Sequence, residues 1–227
     1  MKKSVALPLF FAACQSAPMP NAEHHHHHHG HGGMPHRFEN AEEWAKQFDD
    51  PSRDAWQKPD EVVALLQLQP GMVVADIGAG TGYFEGRLSK GVGDAGRVWA
   101  MDVEADMVRY LGERAQKEGW KNLEAKQVAP DDPGLAPISV DRILIVDTWH
   151  HLGDRDAYAK KLALALKAGG ELHVVDFNKD SERGPPAEMK LAPEELQATL
   201  QKAGLQAEIA TETLPDQYVV IAKKPGY

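Results

Sequence analysis

Hydrophobic residues recur along this chain in two patterns, one typical of strands and one typical of helices, and the two patterns alternate from residue 72 onward. Short apolar runs typical of buried strands alternate with segments in which apolar residues recur at helical spacing. The predicted strands are residues 72–76, 97–102, 123–128, 141–147, 171–177, 206–213 and 217–223. The predicted helices are residues 83–90, 104–118, 155–168 and 193–203, and two more, 37–48 and 59–68, precede the first strand.

This order of elements predicts an α/β fold. Strand-then-helix units favour parallel strands with helices on both faces of one sheet. Only residues 214–216 separate the last two strands, which is too short for a parallel crossover, so these two must be antiparallel. We therefore expect a doubly wound seven-stranded sheet, mostly parallel with an antiparallel last strand. Residues 37–227 form the predicted domain, with residues 37–69 as helices that cover its site.

A glycine-rich segment joins the first predicted strand to the following helix. Its glycines, Gly78, Gly80 and Gly82, occupy every second position. Glycines at such a turn let the backbone approach a ligand closely, and the helix end presents free N–H groups. In doubly wound sheets, ligands bind in this crevice. The segment therefore predicts a nucleotide-type site.

The charge and spacing around these glycines distinguish between two cofactors. A dinucleotide-binding loop has G-x-G-x-x-G, but Tyr83 stands where the third glycine is needed. Asp76 precedes the loop, and its carboxylate repels a pyrophosphate but attracts an ammonium group. S-adenosylmethionine (SAM) carries an ammonium and a sulfonium and no phosphate, so we favour SAM over a nicotinamide dinucleotide.

Asp102 ends the second predicted strand at the same edge of the sheet. A carboxylate there can accept two hydrogen bonds from ribose hydroxyls. The alternative is that Asp102 caps the next helix. In the ribose-binding arrangement, Val103 would lie beside the adenine.

Three segments together resemble the class I SAM-dependent methyltransferases. They are VVADIGAGTGYF at residues 73–84, VWAMD at 98–102 and VDRILIVDTWHHL at 140–152. The resemblance spans residues 59–223 and is nearest to the small-molecule group that includes ubiquinone/menaquinone-type C-methyltransferases. It implies a Rossmann-like fold, SAM as cofactor and methyl transfer to an unidentified small-molecule acceptor. Many relatives have Gly-Asp after the third strand; here Asp131 is either its shifted counterpart, at the adenine, or a turn residue.

The segment after the fourth predicted strand holds the candidate catalytic residues Asp147, His150 and His151. Asp147 could orient the methionine end of SAM or the acceptor. Either histidine could act as a general base, join an outside carboxylate as a metal ligand, or simply pack under the loop. Four aromatic residues of the cover either line the site or pack against the sheet: Phe38, Trp44, Phe48 and Trp56.

The N-terminal residues have a different composition. Residues 1–14 combine Lys2 and Lys3 with a short apolar run and end at Cys14, which resembles a lipoprotein leader. We expect export to the cell envelope with a lipid anchor on Cys14; without a functional leader the protein is cytoplasmic. Residues 15–36 form a predicted disordered spacer. Its six consecutive histidines are either an expression tag or a flexible tract that binds a divalent metal loosely: His24, His25, His26, His27, His28 and His29.

Net charge and cysteine content argue against a nucleic-acid partner and against cysteine-based metal sites in the folded domain. The formal net charge is −9, which disfavours nucleic acid as a partner. Cys14 is the sole cysteine, so the folded domain can hold neither a cysteine zinc site nor a thiolate arsenic site. Two alternatives remain: an exported, non-catalytic metal- or ligand-binding protein that reuses this fold, and a dinucleotide-dependent oxidoreductase. The ligand that raises the melting temperature, SAM, NAD or a divalent metal, distinguishes the three.

Overall fold

The computed structural model of this chain describes residue 38 and residues 40–226. The predicted leader with Cys14, the spacer and the predicted metal-binding tract His24–His29 lie outside the described residues. They therefore stay predictions.

The described residues form one seven-stranded sheet of order β3-β2-β1-β4-β5-β7-β6. Strands β1 to β5 are parallel to one another, and β7 runs antiparallel to both β5 and β6. The strands are β1 Val73–Ile77, β2 Arg97–Asp102, β3 Leu123–Gln127, β4 Val140–Val146, β5 Leu166–Phe177, β6 Gln206–Ile209 and β7 Gln217–Lys223. The predicted doubly wound, mostly parallel sheet is confirmed.

Helices pack on both faces of this sheet. They are α1 Ala41–Phe48, α2 Asp54–Gln57, α3 Pro59–Leu65, α4 Glu85–Val92, α5 Ala105–Glu118, α6 Arg155–Ala165 and α7 Pro193–Lys202. Val174 of β5 faces a core cluster that includes α6 and α7, whereas Val175 faces a second cluster with α3 and α4. This alternation along one strand explains why its sequence is apolar at consecutive positions. Within the described residues, no helix combines the length and apolarity needed to cross a membrane.

The prediction was wrong about where α6 ends and β5 begins. We expected the helix to continue to residue 168, but it stops at Ala165, and Leu166 already pairs with Val140. The backbone N–H groups of Ile138 and Ser139 donate to the carbonyls of residues 164 and 165, which draws that segment alongside β4. Tertiary pairing therefore overrides the helical pattern. The start was right, because Asp154 accepts a capping hydrogen bond from Ala157 N at 2.9 Å.

The segment before β1 also differs from the prediction. Between the two predicted helices lie a 3-10 turn, Pro51–Arg53, and the short helix α2, neither of which the apolar pattern indicated. Helix α1 is fixed to α5, because Ala41 N donates to Asp106 Oδ2 at 2.7 Å and Arg109 pairs with Glu42 at 2.7 Å. The cover thus has its own polar attachment to the sheet domain.

Candidate active site

The glycine-rich loop has a backbone that requires glycine. Gly78, Gly80 and Gly82 have φ angles of 79°, 55° and 91°. A Cβ on Gly78 would stand 2.2 Å from Thr148 Oγ1, so the loop packs directly on the segment after β4. A Cβ on Gly80 would meet only Phe48, at 3.8 Å, which leaves space in front of the loop. The loop, which we call the cofactor cradle, therefore packs tightly on the segment after β4 at Gly78 and leaves space for a ligand at Gly80.

Asp102 ends β2 and holds this loop in place. Its Oδ2 accepts from Gly80 N at 2.8 Å and its Oδ1 from Glu104 N at 2.9 Å. The residue that caps α5 is Glu104, so the helix-cap alternative for Asp102 is wrong. Each carboxylate oxygen retains a lone pair that can accept from a ribose hydroxyl. Val103, 44% exposed beside it, offers an apolar surface of the kind an adenine ring needs.

Asp76 lies inside β1, one residue before the strand ends, and is almost fully buried. Burial raises the pKa of its carboxyl to about 7, although a hydrogen bond from Glu85 acts in the opposite direction. Glu85, the first residue of α4, is also fully buried. We did not predict Glu85 as a site residue, because an acid in the first helical turn is also what the helix dipole favours.

A closed ring of polar contacts ties the cover to Asp147. Arg53 Nη2 donates to Gln57 Oε1 at 3.1 Å, Gln57 donates to Gln217 of β7, and Gln217 donates to Asp147 Oδ1. Arg53 completes the ring with Asp147 Oδ2 at 3.5 Å. Asp147 follows β4, outside the strand in which we placed it, with φ 53°. Burial raises the pKa of this carboxyl to about 7, against the effect of the Arg53 guanidinium.

His150 pairs with a carboxylate that the sequence did not single out. His150 Nδ1 lies 2.9 Å from Asp176 Oδ1 near the end of β5, and both side chains are buried. The same Oδ1 accepts from Phe177 N at 2.8 Å. The ring of His151 contacts that of His150 at a tilt of 45°, with centroids 4.2 Å apart, and His151 is more exposed. A histidine held by a buried carboxylate is an arrangement that can accept a proton.

An aromatic cluster of the cover extends over this edge of the sheet. Phe38 packs on Trp44 and on His151, with ring centroids 4.9 and 6.1 Å apart, and Trp44 stacks on Phe48 at 5.3 Å. Because Phe48 also faces Gly80, this roof of Phe38, Trp44 and Phe48 reaches from the loop to the histidines. Trp56 behaves differently, since it packs on Phe177 at 6.0 Å.

The remaining predicted residues lie less centrally. Asp131 is exposed, and its carbonyl accepts from Lys161 Nζ at 2.6 Å. Its role at an adenine ring stays a prediction. The part of the chain that the structure describes contains no group of three or more His, Cys, Asp or Glu side chains arranged to hold a metal. Trp149, next to the histidines, is fully buried in the core.

Comparisons with known proteins agree with this geometry. A family model described as a methyltransferase domain matches residues 68–218. The chain is 30% identical over 112 residues to the ubiquinone/menaquinone biosynthesis C-methyltransferase UbiE of Shewanella halifaxensis, covering 49% of this chain and 45% of that protein. It thus spans about half the length of the curated relatives it matches.

Solved structures extend the match to most of the chain. A SAM-dependent methyltransferase from Aquifex aeolicus superposes with a TM-score of 0.75 at 32% identity, covering 80% of this chain and 97% of that one. Phosphoethanolamine N-methyltransferase 2 of Haemonchus contortus, in complex with SAM, shares the fold with a TM-score of 0.63 at 15% identity, covering 75% and 53%. The glycine loop, the carboxylates at the ends of β1 and β2 and these matches agree: the chain belongs to the class I SAM-dependent methyltransferases.

Proposed function

We propose that this protein transfers a methyl group from SAM to a small-molecule acceptor that binds under the aromatic roof and gives up a proton to His150. The observation that carries the proposal is the position of the roof. It reaches from Phe48 at Gly80 to Phe38 at His151, so the glycine loop and the histidines share one covered edge of the sheet.

The residues at this edge fit the cofactor. The open face of Gly80 admits a ligand, the two oxygens of Asp102 each retain an acceptor site for the ribose, and Asp76 supplies negative charge for the ammonium group. SAM supplies, when bound, an electrophilic methyl carbon on a sulfonium. The protein's task is to align the acceptor with that carbon and to exclude water.

The roof supports both tasks. Phe38, Trp44 and Phe48 are apolar, and the ring of contacts through Arg53 holds the cover down on Asp147. Aromatic rings attract a cation, which suits a sulfonium cofactor. They also offer flat surfaces to a planar acceptor.

His150 is the residue we assign to the proton. When Nδ1–H donates to Asp176, Nε2 keeps its lone pair, which is the tautomer a general base requires. A base serves an acceptor whose hydroxyl or acidic C–H must lose a proton. His151 would then be a wall of the acceptor site.

The relatives suggest where to look for the acceptor. The curated matches are named as C-methyltransferases of ubiquinone and menaquinone biosynthesis. A hydroxylated aromatic ring suits both the roof and a histidine base. We therefore propose a small phenol or hydroquinone as the acceptor class.

The test is a methyl-transfer assay with labelled SAM and with menadiol and catechol as probe acceptors. We expect transfer by the natural protein, a loss of about 100-fold or more in His150→Gln, and a much smaller effect in the neighbouring control His151→Gln. Both variants should bind S-adenosylhomocysteine (SAH) like the natural protein. Full turnover in His150→Gln would contradict its assignment, and an absence of SAH binding would contradict the function as a whole.

A further inference from the structure

Glu85 is a buried acid that the proposed transfer does not use. Its side chain has no exposed surface, and no described donor supplies a hydrogen bond to either Oε atom. Acids are almost never fully buried without a partner, since a carboxylate removed from water loses its hydration. The position therefore calls for a proton on this carboxyl, a ligand, or both.

The surroundings of Glu85 belong to the cofactor cradle. Its Oε2 would lie 3.6 Å from a Cβ placed on Gly82, so the carboxyl sits directly behind the loop. The carboxyl of Asp76 is its neighbour from β1, and the charge of Asp102 at the end of β2 also acts on Asp76. Three acids from α4, β1 and β2 thus converge on one loop.

The nearby cations are bound elsewhere. Arg114 of α5 faces this group but pairs with Asp49 at 2.9 Å and donates to the carbonyl of Thr81. Arg53 of the cover faces Asp76 but pairs with Asp147. The protein's own positive charges therefore leave the Asp76 and Glu85 pair incompletely neutralised.

A proton compensates this charge. Burial and the adjacent charge of Asp76 raise the pKa of Glu85 well above its usual value. No described donor reaches either Oε atom of Glu85, and its side chain is the more completely buried of the two, so we assign the proton to Glu85. In its protonated form, Glu85 is neutral and can donate to Asp76.

Resting on the proposed function, we propose that Glu85 is a proton-releasing residue of the SAM site: it is protonated in the free protein and ionises when the ammonium group of the cofactor docks beside Asp76. The O–H bond of the Glu85 carboxyl breaks, the proton passes to solvent buffer, and the electron pair stays on the carboxylate. The arriving positive charge then faces two negative charges instead of one. The site thereby favours cationic ligands over neutral nucleosides.

The sign of the pH dependence follows. Because the free protein holds a proton that the complex lacks, cofactor affinity rises with pH, by up to about tenfold per unit while Glu85 is protonated in the free protein. Above the pKa that Glu85 has in the free protein, cofactor affinity no longer changes with pH. Glu85→Gln stays neutral at every pH but can still donate to Asp76, so it should show no such rise above the pKa of Asp76, about 7.

The experiment is titration calorimetry of the full chain with SAH at several pH values above about 7, the pKa of Asp76, so that the range extends into the raised pKa range of Glu85. Repeating it in buffers of different ionisation enthalpy counts the protons released. We expect about one proton per SAH for the natural protein and close to none for Glu85→Gln. The ligand control is 5′-methylthioadenosine, which has the same nucleoside but no ammonium group, and it should release close to none.

The outcomes separate the two proposals. SAH binding without proton release, or equal release with 5′-methylthioadenosine, overturns the role of Glu85 and leaves methyl transfer intact. A lack of SAH binding contradicts the proposed function instead. If Glu85→Gln does not fold, the comparison of the two ligands on the natural protein still decides the question.

Discussion

Gly78 and Gly80 lie two residues apart in the same loop, yet alanine should destabilise the protein far more at Gly78 than at Gly80. Both have positive φ, a conformation that costs an L-residue about 1–2 kcal/mol. Replacing glycine also restricts the unfolded chain, which returns about 0.4–1 kcal/mol. These backbone effects are shared, so the difference between the two variants comes from what the new methyl group meets.

At Gly78 the methyl group meets Thr148, with Oγ1, Cγ2 and Cβ at 2.2, 2.7 and 2.9 Å. Even the fixed Cβ is too close, so rotating the threonine cannot relieve the contact and the backbone must shift. Overpacking of this kind costs about 1–3 kcal/mol. At Gly80 the nearest atom is 3.8 Å away, an ordinary contact. Gly78→Ala should therefore lose about 2–4 kcal/mol of unfolding free energy, and Gly80→Ala about 1 kcal/mol.

Scanning calorimetry and SAH titration together test this difference. At about 2–4 °C per kcal/mol, Gly78→Ala should melt roughly 10 °C lower than the natural protein and Gly80→Ala about 3 °C lower. Gly80→Ala should nevertheless bind SAH at least about tenfold more weakly, because its methyl group enters the space where the cofactor approaches. Equal melting temperatures, or undiminished SAH binding by Gly80→Ala, would refute the reasoning.

Two further predictions concern the polar ring. Gln57→Leu removes the fully buried link to Gln217 and should lower the unfolding free energy, measured by urea titration, by about 1–3 kcal/mol. The control Gln116→Leu, on an exposed face of α5, should change it little. Equal effects of the two variants would contradict the role of the ring. Burial raises the pKa of Asp147 to about 7, so between about pH 4 and pH 7 the folded protein holds a proton that the unfolded chain has lost, and stability falls as pH rises. Asp76 and Glu85 contribute to this slope with the same sign, so Asp147→Asn should make it shallower without abolishing it, measured by urea unfolding at several pH values. A slope unchanged from the natural protein would show that Asp147 does not contribute to it.

Features with a local cause were predictable from the sequence. Strands β1, β4, β5 and β7 appear as apolar runs, and the glycine loop appears as a spacing that a left-handed backbone imposes. Asp102 lies at the end of the second strand, as predicted, and its carboxylate accepts hydrogen bonds from the glycine loop and from the nearby Glu104. Antiparallel pairing of the last two strands follows from the length of their connection alone.

Features that depend on distant parts of the chain were not predictable. Asp176 meets His150 only because β5 lies beside β4, and an acid at the end of an apolar strand carries no sign of its partner. Gln57 and Gln217 are 160 positions apart and have no motif. A site role for Glu85 was not predictable, because it lies in the first turn of a helix, where the helix dipole favours any acid. In each case the missing information is which side chains the topology brings together.

Because Gln217 belongs to the polar ring, its place near the end of the chain affects the order in which contacts form while the protein is synthesised. Gln217 lies on β7, and β7 inserts between β5 and β6, both of which leave the ribosome earlier. Translation proceeds from the N-terminus, so the loop and the cover exist before the strand that fastens the cover to Asp147. Until that strand docks, the cover of a nascent chain has its contacts with α5 and the pair of Arg53 with Asp147, but it lacks the link through Gln217. Capacity to bind a nucleoside should therefore precede capacity to shut out water during synthesis.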